Sequence, residues 1–197
     1  MSAARKSISP DDILDMQNYE SERNDRRARL RDIKRDRRVE IGPCATFYFE
    51  NYDTMLHQIH EMLRIEGGGD EQLKDELEAY NPLIPQGRDL VATLMFEIDD
   101  EVRRDRMLRQ LSHVEETCYL QVGDQKIMAR AEDDVERTKD DGKTSSIHFL
   151  HFDLSDDQAE AFKNGDVVVS VGIGHENYAH AAGLSKSVRS ALGGDLD

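Results

Sequence analysis

Residues 147–154 read IHFLHFDL, and the way this segment pairs decides the fold. Apolar side chains sit on both faces of the alternation, which predicts a central strand covered on two sides. Residues 167–173, VVVSVGI, predict a second buried strand. Between them Ser155-Asp156-Asp157 caps a short helix and Asn164-Gly165 ends it. Such a crossover usually joins parallel strands, although an antiparallel pairing is equally within its reach.

Working outward, residues 39–41 and 45–50 alternate and turn near Gly42-Pro43, a hairpin pattern. Residues 90–98 predict another strand, and residues 119–122 and 126–131 flank Gly123-Asp124, a second hairpin signal. Helices are expected after Asp53, where Met55, Leu56, Ile59, Met62 and Leu63 recur at helical spacing, and over 70–79, 100–115 and 184–192. The acidic stretch 132–144 reads as a mobile loop. Strands and helices do not alternate strictly, and no internal repeat is visible. The expected class is therefore α+β, with a single mixed or largely antiparallel sheet of about six strands and helices packed on it.

The first 38 residues read differently. Ser9-Pro10-Asp11-Asp12 signals the start of a first short helix carrying Ile13, Leu14 and Met16. Residues 23–38 then hold nine Lys/Arg against three Asp, a local +6 in a chain of net charge −15. Only Leu30 and Ile33 interrupt the charge, as in a solvated helix with a narrow contact stripe. We therefore expect an N-terminal helical arm over 1–38 and one domain over 39–197. Arg26, Arg27, Arg31, Lys34 and Arg35 are its candidate partner-binding residues. They could meet the acidic body of the same chain, a second subunit in a homodimer, or a protein partner. The overall charge argues against general nucleic-acid binding and against anionic membranes. Cys44 and Cys118 form no CxxC and read as buried small hydrophobes; with no secretory segment or transmembrane run, the expected setting is cytoplasmic.

Several motifs resemble a bacterial family known as a domain of unknown function, family 3501. They include Gln58–Glu66 (QIHEMLRIE), Glu78–Pro85 (EAYNPLIP), Ala92–Glu97 (ATLMFE), Leu120–Gly123 (LQVG), Arg37-Arg38-Val39, and the closing Asp195-Leu196. The resemblance spans nearly the whole chain. It carries no assigned activity. It implies only an association, through neighbouring genes, with a rubrerythrin and an iron–sulfur oxidoreductase, and so a redox or oxygen-stress setting.

Two constellations could carry chemistry. His148, His175 and His180 are imidazoles of the kind that hold iron or zinc, provided the strands bring them together. The alternative is that each is a partly buried histidine bonded to the backbone. Alternation puts His148 and His151 on opposite faces of their strand, so these two should not share a metal. On the helix after Asp53, His57 and Glu61 lie four apart, and Glu61, Arg64, Glu66, Tyr80 and Asn81 form a candidate ligand pocket. Intrahelical pairing is the plainer reading there. Gly142–Ser145 (GKTS) lacks the first glycine of a phosphate loop, since Arg137 stands in its place. The leading expectation is an accessory protein of a redox or oxygen-stress module that acts through protein partner binding, with a histidine metal site as an added possibility. The alternatives are an iron- or zinc-dependent enzyme using the three histidines, and a nucleic-acid-associated regulator using the arm.

Overall fold

The computed structural model describes residues 5–67, 69–132, 137–139, 141–164 and 166–197. In chain order the elements begin with α1 (Met16–Arg35), β1 (Arg38–Ile41), β2 (Ala45–Phe49), α2 (Tyr52–Glu66), α3 (Asp70–Tyr80) and β3 (Asp89–Phe96). There follow α4 (Glu101–Arg109), β4 (Cys118–Val122), β5 (Gln125–Met128), β6 (Arg130–Ala131), β7 (Ile147–Asp153), α5 (Asp156–Asn164), β8 (Val169–His175), β9 (Tyr178–Gly183) and α6 (Lys186–Gly193).

The chain is α+β, and among the described residues every strand pair is antiparallel. The strands form two sheets, however, where the sequence suggests one of about six strands. One sheet runs β1-β2-β3-β7-β6, and the other runs β5-β4-β8-β9. The apolar segments 147–154 and 167–173, which supply β7 and β8, therefore lie in different sheets and are not neighbours. The reason is visible in what each face of β7 covers. Leu150 and Phe152 point into a core shared with the second sheet, while Phe149 points away, toward a second cluster under the helices. A strand apolar on both faces needs two coverings, and here one of them is the other sheet.

The shared core is filled by alternate residues of β2, β3 and β7 on one side and of β4 and β8 on the other. Phe47, Phe49 and Phe152 meet in it with ring centroids 6.2–6.4 Å apart. Over the outer face of the five-stranded sheet lies α2, whose Met55, Ile59 and Leu63 pack with Val91, Leu83 and Ile84. Asn51 caps that helix, accepting from the Thr54 N–H, and Gly67 closes it in the left-handed conformation (φ 64°). Truncating Ile59, which is fully buried, to alanine would cost about 2–5 kcal/mol.

The N-terminal segment departs from its expected form. Ser9 and Asp12 do build a capping box, but only a single 3-10 turn follows, because Ile13 returns to extended backbone. A new cap at Asp15 then starts one 20-residue helix, α1. Ile8, Ile13 and Met16 join the cluster under α2. The helix expected over 100–115 stops at Arg109, and His113 adopts a left-handed backbone (φ 56°) before the chain turns into β4. Part of the expected mobile loop (133–136 and 140) and the helix-ending Gly165 lie outside the described residues. At the ends of the domain Arg37 grips Asp195 through two buried hydrogen bonds of 2.7 and 2.8 Å, fastening the start of β1 to the C-terminal residues. Burial raises the Asp195 carboxyl despite that pairing.

Candidate functional site

The three candidate metal-binding histidines do not converge. His148 is on β7 of one sheet; His175 and His180 are on β8 and β9 of the other. Each is engaged locally. His148 donates through Nε2 to the Ser145 carbonyl at 2.9 Å, and its Nδ1 faces Glu115 Oε2 at 3.5 Å. Complete burial keeps this imidazole neutral at ordinary pH by pushing its pKa down. His175 accepts from the Asn177 N–H at Nδ1 and donates from Nε2 to the Ser112 carbonyl. His180 packs edge-on against Tyr178, with centroids 4.7 Å apart. Among the described residues no group of three or more His, Cys, Asp or Glu side chains is placed to hold a metal ion. The donor set therefore does not fit iron or zinc. β7 and β8, whose antiparallel pairing would have set His148 beside His175, lie in different sheets, and each ring is turned to partners in its own surroundings.

His151 does point to the opposite face from His148. It lies between Asp89, 3.6 Å from Nδ1, and Glu132 at Nε2. Although burial works against the charged ring, its bonds to the two carboxylates raise its pKa overall.

The expected ligand pocket does not assemble either, because its members turn to separate partners. Glu61 accepts from Tyr19 and from Nε and Nη2 of Arg23, each at 2.7 Å. Arg64 donates to Glu20 at 2.5 Å, and Glu66 accepts from Gln72. Asn81 clamps the main chain of Ile8 from both sides, at 2.7 and 2.9 Å. Tyr80 is partly buried at the edge of the cluster under α2. These are fold-holding contacts. Both cysteines are buried free thiols, as expected.

The feature left over is the outer face of α1. Its N-terminal half is docked on α2: Tyr19 is fully buried, stacks on His60 at 4.5 Å, and reaches Glu61. His60 in turn accepts from the Leu14 N–H and donates to the Leu56 carbonyl, so the stack is fixed on both sides. The Arg23 guanidinium holds the Glu61 carboxyl down at about 2.

The C-terminal half is different. Arg27, Arg31 and Lys34 follow at i, i+4 and i+7, which places them on one helix face. All three are exposed, and among the described residues none makes an ion pair or side-chain hydrogen bond. With Arg35, Arg38, Tyr48 and His57 they line a cavity of about 260 Å³. Through Leu30 and His57 it adjoins a second cavity of about 160 Å³, where Arg26 and Arg29 stand. Arg26 pairs with Glu22 one turn back, and Arg35 with Asp32 and Asp36. Burial lowers the pKa of His57, and Lys34 and Arg27 push it in the same direction against Glu61. The imidazole between the cavities is therefore neutral at ordinary pH.

Two antiparallel sheets sharing a core, a helical layer on one of them and a cationic groove in which Arg27, Arg31 and Lys34 are unpaired describe an α+β domain with no assembled catalytic constellation among the described residues. Residues 7–196 match the family described as "Protein of unknown function (DUF3501)", and the chain belongs to that family. It is also similar to a protein of unknown function from Burkholderia pseudomallei K96243, known from a crystal structure. That protein shares 37% identity with a TM-score of 0.90 over 97% of this chain and all of the other. No curated protein matches. No helix among the described residues is long and apolar enough to cross a membrane.

Proposed function

We propose that this chain is a non-catalytic accessory protein that docks an acidic protein partner on the C-terminal half of α1. One observation carries the reading: Arg27, Arg31 and Lys34 stand together, exposed and unpaired, in a chain of net charge −15. Elsewhere on the helix Arg23, Arg26 and Arg35 find carboxylates of their own chain and Arg29 a main-chain carbonyl, so leaving three adjacent cations without partners suits an external anionic surface. Such a surface would be steered to the groove by long-range attraction and held by charge-assisted hydrogen bonds. The resemblance stated above supplies the biological setting of the proposal, a cytoplasmic redox or oxygen-stress module with a rubrerythrin or iron–sulfur oxidoreductase as partner. Two buried free thiols suit a reducing compartment.

The test is calorimetric titration of a purified rubrerythrin and of an iron–sulfur oxidoreductase from the same cell with wild type and with R27E/R31E/K34E. Saturable binding that weakens at least tenfold in the variant, with an unchanged melting curve, supports the proposal. Equal affinity of both proteins, or retention of duplex DNA that the variant loses in place of protein binding, overturns it.

A further inference from the structure

The Gly142–Ser145 segment, which lacks the first glycine of a phosphate loop, closes a short ribbon beside α4. Thr138 and Thr144 face each other there in an isolated antiparallel bridge, with their hydroxyls 3.2 Å apart. Both side chains are buried, and Thr144 Oγ1 rests 3.4 Å from His148 Nε2. Main-chain bonds extend the bridge on either side. The Ser145 N–H donates to the Arg137 carbonyl at 2.8 Å, and the Lys139 N–H donates to the Lys143 carbonyl at 3.0 Å. Side chains alternate across such a ribbon. With Thr138 and Thr144 turned inward, Arg137, Lys139, Lys143 and Ser145 fall on the opposite, outward face.

The turn that carries the two lysines is held in place. Gly142 takes a left-handed backbone (φ 80°), its N–H donates to the Lys139 carbonyl at 2.8 Å, and its carbonyl accepts from Ser112. The Thr144 N–H ties the ribbon to the end of α4 through the Leu108 carbonyl at 3.1 Å. One turn back on that helix, Arg104 donates to the Ile98 carbonyl at 3.0 Å. Arg104, Arg137, Lys139 and Lys143 thereby line one cavity of about 370 Å³ together with Ser145 and Ser146. Among the described residues no carboxylate lines it. Asp105 meets Lys143 at 2.6 Å but is shared with Arg109, which also holds Asp141 at 2.8 Å. Lys139 is exposed and makes no ion pair or side-chain hydrogen bond with a described residue. The N–H and hydroxyl of Ser146 likewise have no partner among them.

We propose that this cavity binds the phosphoryl group of a small phosphorylated molecule. A carboxylate offers two oxygens and a single charge. A phosphoryl dianion offers three terminal oxygens, enough to engage a guanidinium, an ammonium and a hydroxyl at once. The volume falls in the range of small-molecule sites, roughly 300–1,000 Å³, and leaves room for the rest of the ligand. Nucleic acid is the poorer occupant, because a chain of net charge −15 repels a polyanion that extends beyond the cavity.

Calorimetric titration with inorganic phosphate and with phenyl phosphate tests this, using wild type, Lys139→Glu and Ser146→Ala. Saturable binding at millimolar concentrations is expected. It should be at least tenfold weaker in Lys139→Glu and several-fold weaker in Ser146→Ala, with unchanged melting curves. Ser146→Ala decides the matter if Lys139→Glu does not fold. R27E/R31E/K34E, altered only on α1, should bind phosphate as wild type does, and equimolar acetate should not displace it. No saturable binding, wild-type affinity in either folded variant, displacement by acetate, or loss of binding in R27E/R31E/K34E would overturn the proposal.

Discussion

The two halves of α1 differ in composition and in surroundings, and they serve opposite ends. Around Tyr19 the Arg23 guanidinium is balanced by Glu61 of α2, with Tyr19 buried and Arg23 and Glu61 half-buried, and Glu20 pairs with Arg64 at the surface. Two turns further on, Arg27, Arg31 and Lys34 have solvent and a cavity wall instead. Residues 16–26 hold two cations and three carboxylates, residues 27–35 five cations and one carboxylate, and the first half alone is paired with a carboxylate of α2, Glu61. The first half is a fastening, and the second is an unused surface.

The largest effect should come from undoing the fastening. Glu61→Ala leaves the Tyr19 hydroxyl and the Arg23 guanidinium without their acceptor, in a place where Glu61 is only 19% exposed. Urea unfolding should show a loss of about 3 kcal/mol, the scale of hydrogen bonds to charged groups. Hydrogen exchange should quicken over residues 16–26 more than over 27–35.

Acid should produce a loss of similar size by another route. The folded Glu61 pKa of about 2 lies below its unfolded value of 4.5. The stabilisation is therefore complete above pH 4.5, declines as the pH falls, and is gone below about 2. A shift of this size amounts to about 3 kcal/mol. In Arg23→Ala most of that acid-dependent loss should disappear, whereas Arg27→Ala should keep all of it.

Salt separates the halves more gently. Raising ionic strength from 0.1 to 1 M shortens the screening length from about 10 to about 3 Å. Partner affinity at the exposed cations should fall at least tenfold, with the unfolding midpoint of the chain almost unmoved. The smallest effect belongs to Arg35→Ala. Its pairs with Asp32 and Asp36, at 3.5 and 3.6 Å, are exposed or half-exposed, and their loss should change stability by less than about 0.5 kcal/mol.

Local features of this architecture were readable from residue order. The hairpin at Gly42, whose φ is +62°, the apolar stripe of α2 and the turn at Gly123-Asp124 are written in short-range periodicity. So was the placement of His148 and His151 on opposite faces of one strand. Strand partnership was not readable, because β7 pairs with β3 across more than fifty residues and nothing local names that partner. The second sheet was hidden for a related reason: β9, with its small and mostly exposed residues, lacks the apolar alternation that marks a strand. The cationic residues of α1 stood out at once. Which of them would be neutralised did not, since the deciding carboxylate, Glu61, is 38 positions from Arg23 and its spacing to His57 suggested an intrahelical pair instead. A cap also does not guarantee a helix. Ser9 and Asp12 form a complete box, yet the chain straightens at Ile13.

The most direct measurement is a crossed pair: unfolding free energy and affinity for the acidic partner, each determined for Arg23→Ala and for Arg27→Ala. Arg23→Ala should lose stability and keep its affinity, and Arg27→Ala should keep stability and bind several-fold more weakly. Two variants that fall together in both quantities, or an Arg27→Ala protein that binds as well as wild type, would contradict the division of α1 into a fastening and a docking surface.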